Sequence, residues 1–216
     1  MKKIASPLFQ DLSEAELDTL AAAGHLRTRQ FAKHEVIFRA GSCVREIGIV
    51  LRGSVHIENL DLWGTKSILS SVGAGQAFAE TYAFCGEALM VDAVAAEHCE
   101  ILFLHTAALT DARIEPALQD KLLRRLLAVS MRKNLSLSQR IFCTTPKTVR
   151  GRLLTYFSAQ AARCGRMEFE VPFNRQQMAD YLNLDRSALS KELCKMRDEG
   201  LLEFDKNRFV LKRLPE

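Results

Sequence analysis

The apolar positions of this chain change period twice along its length. Near the N-terminus Leu17, Leu20 and Ala21 recur at helical spacing, and Ser13 followed three residues later by Glu16 fits a capping box, so a short helix is predicted there. From Leu26 to about His105 the texture becomes short runs at 27–31, 36–38, 47–51, 54–58, 67–71, 91–95 and 100–105, which read as strands. Gly41, Gly53, Gly64, Gly73 and Gly75 punctuate them, at places where turns call for positive φ. Many short strands at this spacing predict a β-sandwich or barrel of the jelly-roll type.

Helical periodicity returns after Thr106 and dominates residues 116–142. Leu123, Leu127, Ser130, Asn134, Leu137 and Ile141 recur at alternating intervals of four and three, a heptad seam with two polar members. Beside it runs a second stripe, Leu122, Leu126 and Val129, placed to pack on the barrel. Two apolar faces on one helix need two partners, so the seam predicts a homodimer, with Asn134 setting its register. Packing of both faces within one chain is the alternative. Thr144-Thr145-Pro146 then breaks the helix, and proline at a first helical position starts another over 147–162, ended by Cys164-Gly165-Arg166.

The densest local pattern follows. Asn174 is placed to cap a short helix whose Met178, Ala179 and Leu182 face inward, and Ala179 is small enough for a second helix to cross closely. Asn183-Leu184-Asp185 forms a turn, with Asp185 capping the next helix, whose buried stripe is Leu189, Leu193 and Met196. Its outward residues, Arg186, Ser187, Ser190 and Lys191, suit base edges and phosphates, as do Arg175 and Gln176 on the first helix. After Gly200, the segments 201–204 and 209–211 read as two strands around Asp205-Lys206-Asn207-Arg208, which puts Lys206 and Arg208 at the tip of a wing. The expected fold class is α+β, with a jelly-roll domain at 1–115, a dimerisation helix at 116–143 and a winged helix-turn-helix at 144–216.

Charge and composition sharpen this. Residues 140–216 hold 15 Lys/Arg against 10 Asp/Glu, while the remaining residues hold 15 against 16. The positive excess therefore lies with the helix-turn-helix and favours double-stranded DNA as partner. No window approaches the ~20 apolar residues of a bilayer span, and the basic start at Met1-Lys2-Lys3 lacks a following apolar core, so a cytoplasmic protein without a membrane partner is expected. Cys43, Cys85, Cys99, Cys143, Cys164 and Cys194 are scattered, without C-x-x-C pairs, and read as small hydrophobes.

At this point the chain resembles the Crp–Fnr family, the relatives of the cyclic-AMP receptor protein. Phe38-Arg39-Ala40-Gly41, Leu51-Arg52-Gly53-Ser54-Val55, Gly73 through Glu80, the long helix and Arg175 through Leu202 carry the resemblance, which spans nearly the whole chain. It implies a cyclic-nucleotide-binding-like sensor and symmetric binding to a palindromic operator, with RNA polymerase a further partner where the protein activates. Cyclic-nucleotide binders of the family carry Phe-Gly-Glu and a later Arg-Ser or Arg-Thr. Here the first motif is Phe78-Ala79-Glu80, the later places fall near Met90 and Val91, and no basic residue occurs from Gln76 to Ala96. A buried phosphate without a cation is costly, which argues against cyclic AMP or cyclic GMP. Phe78, Tyr82, Leu89, Met90 and Val91, with Glu80 and Thr81 as polar contacts, would instead suit an unidentified small, partly apolar effector, or else simply fill the barrel. The recognition helix also departs from the family's Arg-Glu pattern at Arg186-Ser187, so its operator should differ.

No cofactor is assigned. A redox sensor of the iron–sulfur type would need a cysteine cluster before Cys43, and Cys85 has no neighbouring cation to stabilise a thiolate. Haem would need an axial ligand from among His25, His34, His56, His98 and His105, none of them favoured. A cupin-like metal enzyme would need clustered ligands, for which Glu97-His98-Cys99-Glu100 is the nearest approach and lacks a second histidine. Constitutive DNA binding without an effector, and a winged helix used to dock proteins, are further alternatives.

Overall fold

The computed structural model describes residues 4–60 and 66–212 and divides into two compact units, Met1–Arg132 and Lys133–Glu216. Met1-Lys2-Lys3 and the turn glycine Gly64 lie outside the described residues. In the first unit the capping box closes as the spacing predicts. Ser13 Oγ accepts the Glu16 N–H at 3.2 Å, the Glu16 carboxylate accepts the Ser13 N–H at 2.7 Å, and α1 (Glu14–Ala22) follows.

The strands are β1 (Leu26–Phe31), β2 (Val36–Phe38), β3 (Glu46–Arg52), β4 (Val55–Leu60), β5 (Lys66–Val72), β6 (Ala77–Phe78), β7 (Asp92–Ala95) and β8 (Cys99–His105). They form two antiparallel sheets, β1-β8-β3-β6 and β2-β7-β4-β5. Between the sheets lie Phe31, Val50, Val55, Phe78, Ile101 and Phe103. The other face of the first sheet, with Ile47, Ile49, Leu102 and Leu104, packs under α1 and the first turns of α3 (Pro116–Thr144), which contribute Leu118, Leu122 and Leu126. Strands β3 and β8 are thus covered on both faces, so 47–51 and 101–104 read as continuous apolar runs rather than alternating ones. Each fully buried Leu or Ile contributes roughly 1.5–3 kcal/mol.

Two glycines show different needs. Gly53 takes φ +82°, as a turn requires, whereas Gly73, expected to do the same, is absent from the residues with positive φ. Gly48, inside β3, is set by close approach instead: a Cβ there would lie 2.2 Å from Phe78 Cζ. Helix α2 (Glu80–Cys85) was not anticipated, and it begins from Ala79, a non-glycine residue held at φ +61°.

The second unit contains the end of α3, then α4 (Val149–Cys164), β9 (Glu168–Glu170), α5 (Arg175–Leu182), α6 (Arg186–Asp198), β10 (Leu202–Asp205) and β11 (Arg208–Leu211), with sheet order β10-β11-β9. Pro146 does not open α4, as had been expected; Thr148 caps it by accepting the Gly151 N–H at 3.0 Å, and Pro146 stays in the linker. Tyr156, Phe157, Phe169 and Phe209 fill the core with Met178, Leu182, Leu189, Leu193 and Met196, and the Phe157 and Phe209 rings lie 4.6 Å apart. The architecture is α+β, a β-rich first unit and a winged helix-turn-helix joined through a long helix.

Candidate nucleic-acid interface and effector cavity

The helix pair α5–α6 is built by two caps. Asn174 Oδ1 accepts the Gln177 N–H and the Gln177 side chain accepts the Asn174 N–H, both at 2.9 Å. Asp185 Oδ1 accepts the Ala188 N–H at 2.9 Å and the Ser187 hydroxyl at 2.5 Å, and these bonds hold its carboxyl below the ordinary range. Between them Asn183 takes the left-handed conformation that turns the chain. Ala179 is completely buried, as close helix crossing requires. Arg150 on α4 reaches both Glu192 (2.5 Å) and Glu199 (2.8 Å), tying α6 to α4; these carboxylates, Glu199 foremost, raise its guanidinium pKa further.

The eight residues expected to contact DNA fall into two groups. Arg175, Gln176, Arg186 and Lys206 come together, with Asn174 and Asn207, around one open cavity of about 410 Å³. The N-terminus of α5, the N-terminus of α6 and the wing turn therefore converge on a single place. Arg175 is the most constrained member. Its guanidinium lies 5.0 and 5.1 Å from the Phe204 and Phe209 ring centres, its Nη1 is buried without a protein partner, and burial lowers its pKa. Lys206 stands at the wing turn with φ +48°. The other group is engaged or peripheral: Arg208 donates from Nε to Glu168 at 2.8 Å, the Ser187 hydroxyl is spent on Asp185, and Lys191 and Ser190 lie outside the cavity on α6. Gln176 also donates to Asp180 at 2.9 Å.

The expected effector residues differ in their surroundings. Phe78 is core, Leu89 is buried with its backbone bonded to Gly41 and Ser42, Tyr82 and Val91 are half-buried, and Met90 is 77% exposed. The loop carrying Met90 turns that side chain outward, away from Phe78. Glu80 and Thr81 instead line a different, largely apolar cavity of about 230 Å³ with Phe84, Cys85, Leu123, Leu126, Leu127 and Ser130. Glu80 is 5% exposed, and no Lys or Arg is among the lining residues. Phe84 and Cys85 join the expected Glu80 and Thr81 on one face of α2, a helix too short to show a period in the sequence.

The seam residues Leu123, Leu127, Leu137 and Ile141 are all exposed, while Leu122 and Leu126 are buried. Met131, Leu135 and Phe142 are exposed apolar residues of the same helix that the heptad pattern did not include. Of the histidines, His25 is bonded to Asp111 at 2.7 Å, and His105 accepts the Ala107 N–H at 3.1 Å. Among the described residues no group of three or more His, Cys, Asp or Glu is placed to hold a metal, and no helix is long and apolar enough to cross a membrane.

Residues 28–113 match the model of the cyclic nucleotide-binding domain, and residues 151–216 match that of the Crp-like helix-turn-helix domain. Among curated proteins no relative matches. Similar solved structures include the Thermus thermophilus catabolite activator protein (25% identity, TM-score 0.50, covering 96% of this chain and 94% of that one). FixK2 from Bradyrhizobium japonicum is 19% identical with TM-score 0.52, covering 87% and 93%. CprK complexed with OCPA is 13% identical with TM-score 0.65, covering 94% and 91%.

Proposed function

This chain belongs to the Crp–Fnr family of transcription regulators, and on that premise we propose that it works as a homodimer on a palindromic operator under control of a small effector that is not cyclic AMP. In this reading residues 1–115 sense the effector, 116–143 pair two copies, and 144–216 bind DNA in the cytoplasm. The observation that carries it is the convergence of Arg175, Arg186 and Lys206 on one cavity formed by two helix N-termini and the wing turn. Helix N-termini carry partial positive charge, so three cations there make a phosphate-binding surface. From its position at the start of α6, Arg186 reads a guanine edge, while Arg175 and Lys206 hold the backbone.

The cavity between α2 and α3 is the favoured effector site. A cyclic phosphate there would meet no Lys or Arg among the lining residues. A neutral, mostly apolar molecule fits the wall of Phe84, Leu123, Leu126 and Leu127 better. Because Leu123, Leu127 and Ser130 belong to both the cavity and the seam, occupancy and pairing are linked.

Selection of sites from random duplex DNA by the purified protein, with and without cyclic AMP, tests the reading. An enriched palindrome indifferent to cyclic AMP supports it. Enrichment that requires cyclic AMP overturns the effector assignment, and binding that is unsymmetrical and sequence-blind overturns the dimeric regulator.

A further inference from the structure

The last four carbonyls around the end of a helix have no partner within it and normally face water or a local cap. At the end of α5 they are taken by two arginines. Arg140, near the end of α3, donates from Nη2 to the Asp180 carbonyl at 2.9 Å and from Nε to the Tyr181 carbonyl at 3.0 Å. Arg152, on α4, donates from Nη1 to the Leu182 carbonyl at 3.1 Å and to the Asn183 carbonyl at 2.7 Å. Its Nε donates to the Pro146 carbonyl in the linker at 2.8 Å. Four consecutive carbonyls at the negative end of the α5 dipole thus accept from two cations, a charge-assisted arrangement.

These carbonyls border the turn that leads into α6. Leu184 N–H closes the turn on the Ala179 carbonyl at 2.9 Å, and Asp185 and Arg186 follow at once. We propose that Arg140 and Arg152 are positioning residues that lock the α5–α6 turn to the end of α3 and to the linker, so that the path of α3 sets where the recognition helix points. Neither residue is among those lining the cationic cavity. A lysine reproduces neither arrangement: Arg140 uses two nitrogens for its two carbonyls, and Arg152 serves two carbonyls from Nη1 and the Pro146 carbonyl from Nε, whereas an ammonium is a single nitrogen. The inference rests on the DNA-binding reading for its consequence but not for its geometry.

The test uses the full chain carrying Arg140→Lys, Arg140→Ala or Arg152→Lys. In the protein alone, amide hydrogen exchange at Leu184 is expected to speed up about tenfold or more in each variant, with the strands of the first unit unchanged. On a selected operator, the parent should discriminate against half-sites moved by one base pair, and the variants should lose about tenfold of that discrimination while keeping the parent's salt slope and affinity for random DNA. Unchanged exchange at Leu184 overturns the clamp. Equal loss on every spacing and on random DNA overturns the positioning role. Arg140→Lys keeps the charge and most of the side chain, so it reads the clamp even where Arg140→Ala does not fold. A parent that selects no operator refutes the DNA-binding reading, while the exchange measurement still decides the clamp.

Discussion

Replacing Lys206 by alanine should flatten the salt dependence of DNA binding by an amount that follows from the structure. Each phosphate neutralised on duplex DNA contributes about 0.9 to the slope of log affinity against log salt concentration. Four cations on this surface have no ion pair among the described residues: Arg175, Arg186, Lys191 and Lys206. With Arg186 reading a base, three per protomer and six per dimer remain for phosphates, giving a slope of about −5.4, or roughly a two-thousandfold loss of affinity between about 50 and 200 mM salt. Lys206→Ala removes two of the six and should bring the slope to about −3.6. Fluorescence anisotropy of a labelled duplex across that range measures it, on random DNA as well as on an operator. Arg208 supplies the control, because its charge is already answered by Glu168. Arg208→Ala should change the slope less than Lys206→Ala, and Glu168→Gln, which frees Arg208, should steepen it. A Lys206→Ala slope equal to the parent's removes the wing from the interface and refutes the reasoning.

Other outcomes are equally specific. Arg186→Ala should cost roughly 1–3 kcal/mol on the operator and relax preference at one base position per half-site, and an equal loss on random DNA would make it a phosphate contact. Leu127 and Leu137 are 57% and 59% exposed, and replacing both with glutamate should give monomers by sedimentation, since burying each leucine contributes roughly 1.5–3 kcal/mol on either side of the dimer. A persisting dimer would move the interface elsewhere. Ala79→Gly should raise stability by about 0.5–1 kcal/mol in thermal unfolding, because a non-glycine residue at φ +61° is strained, and a loss would show that the methyl group packs usefully. Burial pushes the Cys143 thiol pKa up, so Cys143 and the buried Cys99 should resist iodoacetamide at neutral pH while Cys43, Cys85, Cys164 and Cys194 react. Protection of Cys85 alone by an added compound would mark an occupant of the α2–α3 cavity.

The parts of the molecule that were legible in sequence are those whose physical cause is local. Asn174 and Gln177, or Asp185 and the start of α6, act across three residues, so their chemistry can be read along the chain. The small Ala179 and the buried stripe Leu189, Leu193 and Met196 obey a fixed period. The strands of the first unit were legible for the same reason, apart from the two-residue β6, while β9 offers a single apolar position, Phe169, between Glu168 and Glu170. Thr148 was overlooked as a cap because the proline two residues earlier gives the stronger signal. Local chemistry decided that case too, since a hydroxyl bonded to the Gly151 N–H satisfies a helix donor that a proline ring cannot.

The α2–α3 cavity and the arginine–carbonyl contacts at the end of α5 were hidden for a different reason. Glu80 and Phe84 line the same cavity as Leu123 and Leu127, far along the chain, and nothing in either segment specifies the other. Chain distance is not the whole obstacle, however, because Arg27 and Glu46 also pair across the sequence and at least announce opposite charges. Arg140 and Arg152 bind backbone carbonyls, and every residue type supplies one of those. A contact whose acceptor has no side-chain identity leaves no trace at the acceptor's position; substitution at the exposed Asp180 would leave its carbonyl in place. Only the donors are specified. The same asymmetry explains why changes at Arg140 or Arg152 should be felt at Arg186, although no residue pair in the sequence connects them.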